Sequence, residues 1–234
     1  QGEAATSNAL VPVGSNVIVN SSFQRGLFNW GLMSATNGSV LQINLPGFYG
    51  VRDVAYIFRS GATTAANYAD VGTFAETSGF AGLRQYALPV RPGDRVGAAC
   101  WGAHHRSSPR RILVYYGGDG QYLSAVETST GSYHGGGANG DLMGRMSIID
   151  TAPAGARFAA LRLRMWGTGE ESPYFFFSEP WLGILAAGQT QLPPYSPGPP
   201  DFRATLGSSA GTDLFRSDGS TVMSQAEVCT PESL

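Results

Sequence analysis

Two stretches of this chain concentrate side chains that bind ligands or move protons. WGAHHRSSPRR brings Trp101, His104, His105, Arg106, Arg110 and Arg111 together. TSTGSYHGGGANGD places Tyr133, His134, Asn139 and Asp141 on a glycine-rich loop. A third group, Arg164 and Trp166, ends the run RFAALRLRMW, with Glu170 and Glu171 just beyond it. Flat aromatic rings beside amides, acids and guanidinium groups suit a sugar: the rings cover the apolar faces of pyranoses and the polar groups bond hydroxyls. Several arginines would suit an acidic sugar, because guanidinium grips a carboxylate through two parallel bonds. A blander reading stands beside this one. Trp101 can be core, His104 and His105 a solvated strand end, and Tyr133 with His134 an ordinary loop tip.

The same residues are a poor catalytic set. The one G-x-S-x-G match, Gly207–Gly211, lies in the polar tail with no strand pattern before it, so no nucleophile elbow accompanies the three histidines,. A glycosidase needs two facing carboxylates, whereas Glu170 and Glu171 are neighbours on a loop and no sequence pattern sets Glu127 opposite Asp141,. Adjacent histidines have the wrong spacing for one face of a strand or helix, which disfavours a metal pair at 104–105. The expectation is a protein that is not an enzyme.

These residues need strands to hold them. Charged residues are 14% of the chain, against the usual ~25%,. Glycine is abundant, at 32 of 234 residues. That describes an all-β chain with many turns rather than a helical bundle. All 15 basic residues are arginine and the net charge is -2, so no basic field exists to hold nucleic acid phosphates,. Cys100 lies in an apolar strand pattern and Cys229 in a polar tail, too few and too far apart for a disulfide framework or a zinc cluster,. The first ten residues are polar and lack the basic and apolar regions of a signal peptide,. No apolar run is long enough to insert into a membrane.

Strand patterns recur at Asn16–Asn20, Ser39–Asn44, Asp53–Ser60, Phe80–Leu88, Arg95–Ala103, Arg111–Tyr116, Gln121–Thr128, Leu142–Ile149, Phe158–Trp166 and Tyr174–Leu185,. GGDG between RILVYY and QYLSAVE signals a hairpin, since Gly and Asp tolerate positive φ. Alternation in RFAALRLRMW puts Ala159, Leu161, Leu163 and Met165 on the core side and Arg162, Arg164 and Trp166 outside. Either parity of Arg95–Ala103 can face inward. A short helix is expected over Ala62–Asp70. Residues 1–14 read as an N-terminal arm, 15–192 as one β-domain and 193–234 as a Pro-rich strap with a polar connector or oligomerisation tail. Five prolines between Pro193 and Pro200 make the strap extended,.

The order of three stretches resembles a known family. NVIVNSSFQRGLFNW is similar to the opening motif of jelly rolls of the carbohydrate-binding-module type. LPVRPGDRVGAACWGA resembles their central turn and strand. FFFSEPWLGILAAGQTQLPPYSPG resembles the last strand and exit found in phage tail and tail-fibre proteins, and DLFRSDGSTVMSQAEVCT is similar to connectors of phage host-recognition proteins. The resemblance implies an all-β jelly-roll β-sandwich of two antiparallel sheets. It implies a glycan-binding, receptor-binding module on the virion of a phage or gene transfer agent, attaching to host capsular or surface polysaccharide. Its partners would be that polysaccharide and other tail subunits, with a homotrimer as one expected assembly. The alternative is a structural or assembly module of the same particle with no sugar site.

Family members hold a structural calcium with the acid of the opening motif and an acid of the last strand. Here Gln24 stands at the first position and Glu179 is the nearest acid at the second. One carboxylate with amide and backbone oxygens is a poor set for a hard cation, so calcium is the one cofactor left open. In the resembled fold the first strand lies beside the last and the turn after it closes one end of the sandwich. Phe23, Phe28 and Trp30 are therefore expected as core plugs.

Overall fold

The computed structural model describes residues 11–23, 27–35, 39–44, 54–64, 66–129, 143–199, 214–215 and 221–223. Two antiparallel sheets face each other in a jelly-roll sandwich. The first sheet is built from β1 (Trp30–Ala35), β4 (Tyr68–Thr73), β10 (Phe158–Gly167), β7 (Ser107–Tyr116) and β8 (Tyr122–Ser129), in that order, with β5 (Leu88–Pro89) pairing β10. The second runs β2 (Ser39–Asn44), β3 (Val54–Arg59), β11 (Tyr174–Leu185), β6 (Arg95–His105) and β9 (Gly144–Thr151). A separate two-stranded pair joins β12 (Leu214–Phe215) to β13 (Thr221–Met223).

Side-chain alternation fills the space between the sheets. From β10, Ala159, Leu161, Leu163 and Met165 point inward, as their spacing predicts. Val96, Ala98 and Cys100 meet them from β6, which resolves the parity the sequence left open. Phe175, Phe177 and Leu182 from β11 complete the core. The opening turn closes one end: Phe23, Trp30 and Phe177 form a triangle with ring centroids 5.5, 5.6 and 5.7 Å apart. Phe23 and Trp30 are buried, whereas Phe28 is only half-buried and is not a plug.

The expected strand at Asn16–Asn20 is not regular, but the segment does lie along β11. Gly14 N donates to Ile184 O and Val17 N to Leu182 O. Asn16 is buried and fully used. Its Oδ1 accepts from the amides of Ile18 and Leu182, and its Nδ2 donates to Pro180 O and Ser196 O. The strap returns beside this segment, with Gly198 N donating to Ser21 Oγ and Leu192 packed against the outside of β6.

Two expectations change place. The helix foreseen over Ala62–Asp70 is an irregular approach followed by β4. The strand foreseen at Phe80–Leu88 is instead α2 (Gly79–Tyr86), preceded by α1 (Phe74–Thr77). Burial explains the second: the adjacent Gly82 and Leu83 are both buried while Phe80, Ala81, Arg84 and Gln85 are exposed, which is not strand alternation,. Ala75, Leu83 and Ala87 press on Ile112, Val114, Tyr116 and Ala160, the outward side chains at one end of β7 and β10. The two short helices thus cover one half of the first sheet's outer face, and among the described residues no element covers the other, open half.

Candidate functional site

The open half is built by cross-strand register. Trp166 pairs with Tyr68 and Ser108, and Arg164 pairs with Asp70 and Arg110. Glu127 of β8 enters one row further, opposite Ile112. Neighbours opposite each other on one face of a sheet touch, so aromatics and charges meet here in two layers.

The aromatic layer is Tyr68 and Trp166, with ring centroids 5.3 Å apart and planes tilted by 53°. The Arg164 guanidinium lies 4.9 Å from the Tyr68 centroid and 5.1 Å from that of Trp166, a double cation–π contact,. Both rings are half-buried, so each keeps some surface for a ligand.

The charged layer is a chain of ion pairs. Arg164 holds Asp70 through Nε–Oδ1 at 2.6 Å and Nη2–Oδ2 at 2.8 Å. Arg162 Nη2 lies 2.9 Å from Glu76 Oε1, with its Nη1 3.7 Å from Asp70 Oδ2. Tyr116 donates to the same Glu76 oxygen. Glu127 bridges Arg110 at 3.1 Å and Arg164 at 3.8 Å. Hydrogen bonding to Asp70 raises the pKa of the Arg164 guanidinium, outweighing the burial that lowers it. Burial would lower that of Arg162, but Glu76, Tyr116 and Asp70 reverse this and hold it above its ordinary value. Burial, then the neighbouring Glu76, pushes the Tyr116 hydroxyl up. The charges are therefore fixed in place before any ligand arrives.

The residues singled out from sequence do not form one site. Arg110, Arg164 and Trp166 share the open half described above. Trp101 and His105 lie on the outer face of the second sheet, where His105 sits 6.5 Å from Tyr174. His104 and Arg111 point between the sheets and are 8% and 9% exposed, so the expected exposed rim does not include them. Arg111 donates through Nε to Ser147 O, and burial lowers its pKa.

The cause of this split is the crossing from β6 to β7. A single residue, Arg106, with φ 52°, carries the chain from one sheet to the other, so adjacent side chains leave in opposite directions. Arg106 itself is at the rim, bonding Glu171 O and lying 3.6 Å from Glu170. Tyr133, His134, Asn139 and Asp141 lie outside the described residues.

Sequence reading missed Tyr68 and Asp70, because a helix was expected where β4 runs, and Glu76, which lies on the short helix α1 that was not foreseen. The available signal was period-2 alternation in YADVGT. For calcium, Gln24 lies outside the described residues. Glu179 sits at a bulge in β11 with φ 48°. Among the described residues no three His, Cys, Asp or Glu side chains come together as metal ligands, and the Asn16 amide oxygen is already taken twice. The described residues do not by themselves assemble a calcium cage.

No family model and no curated protein matches the chain. Solved structures do match. The enzymatically active domain of tailspike protein 4 from bacteriophage CBA120 superposes with a TM-score of 0.52 at 12% identity, over 73% of this chain and 21% of that one. This chain thus spans about a fifth of the tailspike chain, where 21% is covered, and the likeness is one of fold. TmCBM61, solved with β-1,4-galactotriose, gives 0.45 at 14% identity over 72% of this chain and 98% of that one. The CBM22-1 xylan-binding domain from Paenibacillus barcinonensis gives 0.42 at 13% identity, over 75% and 98%.

Proposed function

We propose that this chain is a non-catalytic glycan-binding module of a phage-like particle, and that the glycan lies on the open half of the first sheet's outer face. The observation that carries the site is the aromatic pair Tyr68–Trp166 standing over a prearranged arginine–carboxylate layer. A sugar needs such a surface: ring faces for its C–H groups and fixed donors and acceptors for its hydroxyls. Each described carboxylate of this face is tied to arginine, so it serves better as a hydroxyl acceptor than as a free acid or base,.

The particle setting is supported by the tail-like exit motif around Tyr195 and by the fold likeness to a phage tailspike domain. On this reading the chain is displayed on the virion, its ligand is a host surface polysaccharide, and other tail subunits, including copies of itself in a trimer, are its protein partners. Affinity electrophoresis against host polysaccharide tests the site. Retardation of the wild type, lost in Trp166→Ala and Tyr68→Ala variants that melt cooperatively, is the expected result. Full retardation of both variants would remove this face from the proposal.

A second reading, assembly without a sugar site, is favoured by one observation. The outer face of the second sheet carries Phe58 stacked on Tyr174 at 4.5 Å, Tyr174 parallel to Phe176 at 5.4 Å, and Tyr56 alongside. Rings stacked on one another present edges, which suit a protein surface better than a pyranose. Tyr56→Ala and Phe58→Ser variants that stay fully assembled in sedimentation would count against it.

A further inference from the structure

Glu127 stands where a ligand carboxylate would. Its two oxygens are shared between two guanidinium groups, Oε1 with Arg110 and Oε2 with Arg164. It comes from β8, the edge strand of the first sheet, and its side chain is 37% exposed, whereas that of Asp70, on the β4 side of Arg164, is 3% exposed. Among the described residues the face is balanced: three arginines, at 110, 162 and 164, meet three carboxylates, at 70, 76 and 127, and each guanidinium has an acid.

We infer that Glu127 is a built-in carboxylate that occupies the Arg110–Arg164 pair and restricts the face to neutral glycans. The inference rests on the glycan-binding reading above and fixes the charge class of its ligand. A uronic acid approaching this face meets arginines that are already neutralised and a carboxylate of its own sign. Specificity commonly comes from such a repulsive element as much as from attraction. Removing the Glu127 charge leaves three cations against two anions and frees the arginine edges that bind carboxylates best. Glu127 is thus a specificity-determining residue: the arginines that suggest acidic sugars by their number act against them through their pairing.

The test uses uronic polysaccharides and their carboxyl-reduced forms, which differ only in the group in question. Wild type, Glu127→Gln and the double variant Glu127→Gln/Arg110→Ala are run in affinity gels containing polygalacturonate, alginate or hyaluronan, or each polymer after carboxyl reduction. The expected result has three parts. Wild type is retarded by at least one reduced polymer and by none of the parents. Glu127→Gln gains retardation, at least tenfold stronger, on the matching parent. The double variant loses that gain while melting cooperatively. Stronger retardation of wild type by a parent polymer than by its reduced form overturns the inference and leaves the glycan reading standing. A Glu127→Gln variant with wild-type behaviour on both forms also overturns it. No retardation of any variant by any polymer removes the glycan reading itself, and the inference with it.

Discussion

Arg164 grips Asp70 with both of its facing nitrogens, at 2.6 and 2.8 Å, beneath two aromatic rings. The carboxylate is nearly inaccessible and its partner mostly so. Removing one member of such a pair strands a buried charge, which costs about 3–5 kcal/mol, whereas an exposed pair is worth about 1 kcal/mol or less. Asp70→Ala should fall in the first class by urea unfolding. A loss under about 1 kcal/mol would reassign the pair to the solvated surface.

Trp30 belongs to the closing triangle with Phe23 and Phe177, away from the proposed sugar face. Truncating a buried ring of this size typically costs about 3–5 kcal/mol. Trp30→Ala should therefore melt well below wild type, while the surviving folded fraction keeps the wild-type affinity for polysaccharide. Lost binding at an unchanged melting temperature would turn the opening turn from closure into contact surface.

Burial pushes the Cys100 thiol up to about 12 from 9.0, with the nearby Arg111 opposing weakly. The folded chain thus keeps a proton that the unfolded chain releases across that interval. Linkage then makes stability fall as pH rises from about 9 towards 12, while below 9 the contribution is complete. Burial raises the Tyr115 and Tyr116 hydroxyls as well, with Asp150 and Glu76 adding to it, and this steepens the alkaline loss. Melting temperature followed from pH 8 upward should decline. In a Cys229→Ser background, Cys100 should react with a thiol reagent only after urea is added. Rapid labelling in native buffer would contradict the burial.

A Cβ on Gly183 would lie 2.2 Å from the carbonyl oxygen of Ser15, so the segment before Ile18 sits against β11 only because that side chain is missing. Gly183→Ala should displace residues 14–17 and lose the Gly14–Ile184 and Val17–Leu182 hydrogen bonds. The expected readout is faster proteolysis near residue 14 and a loss of about 1–3 kcal/mol. Wild-type resistance to protease would show that the segment can shift without detaching.

Strands were legible where apolar residues alternate over a long enough run. Phe158–Trp166 announced both its core side and its outward arginines, and RPGD and GGDG marked their turns. Helix α2 was not legible. At eight residues it is shorter than the lengths at which periodicity separates helix from strand, and GFAGLRQYA reads as well with period two,. The Ala-rich approach to β4 misled in the opposite sense, because alanine favours a helix locally while Ala69 is placed by packing within a sheet,. The site was half legible. Arg164 and Trp166 follow from alternation, but their partners Tyr68, Asp70 and Glu127 come from other strands, and register between distant strands is not written in local pattern. His104 and Arg111 show the same limit: a one-residue crossing at Arg106 places them on different sheets, and both turn into the space between.

The run of Asn16 beside Ser196 and of Ile18 beside Gly198 has a mechanical consequence. The incoming segment and the outgoing strap advance in the same direction, held together through Asn16 and Ser21. Tension on the two ends of residues 11–199 pulls these segments past each other, so their bonds bear the load together in shear rather than opening one by one. Under tension applied between those two ends, force meets this junction first, and β4 and β10, which carry the aromatic pair, stay unloaded until it slips.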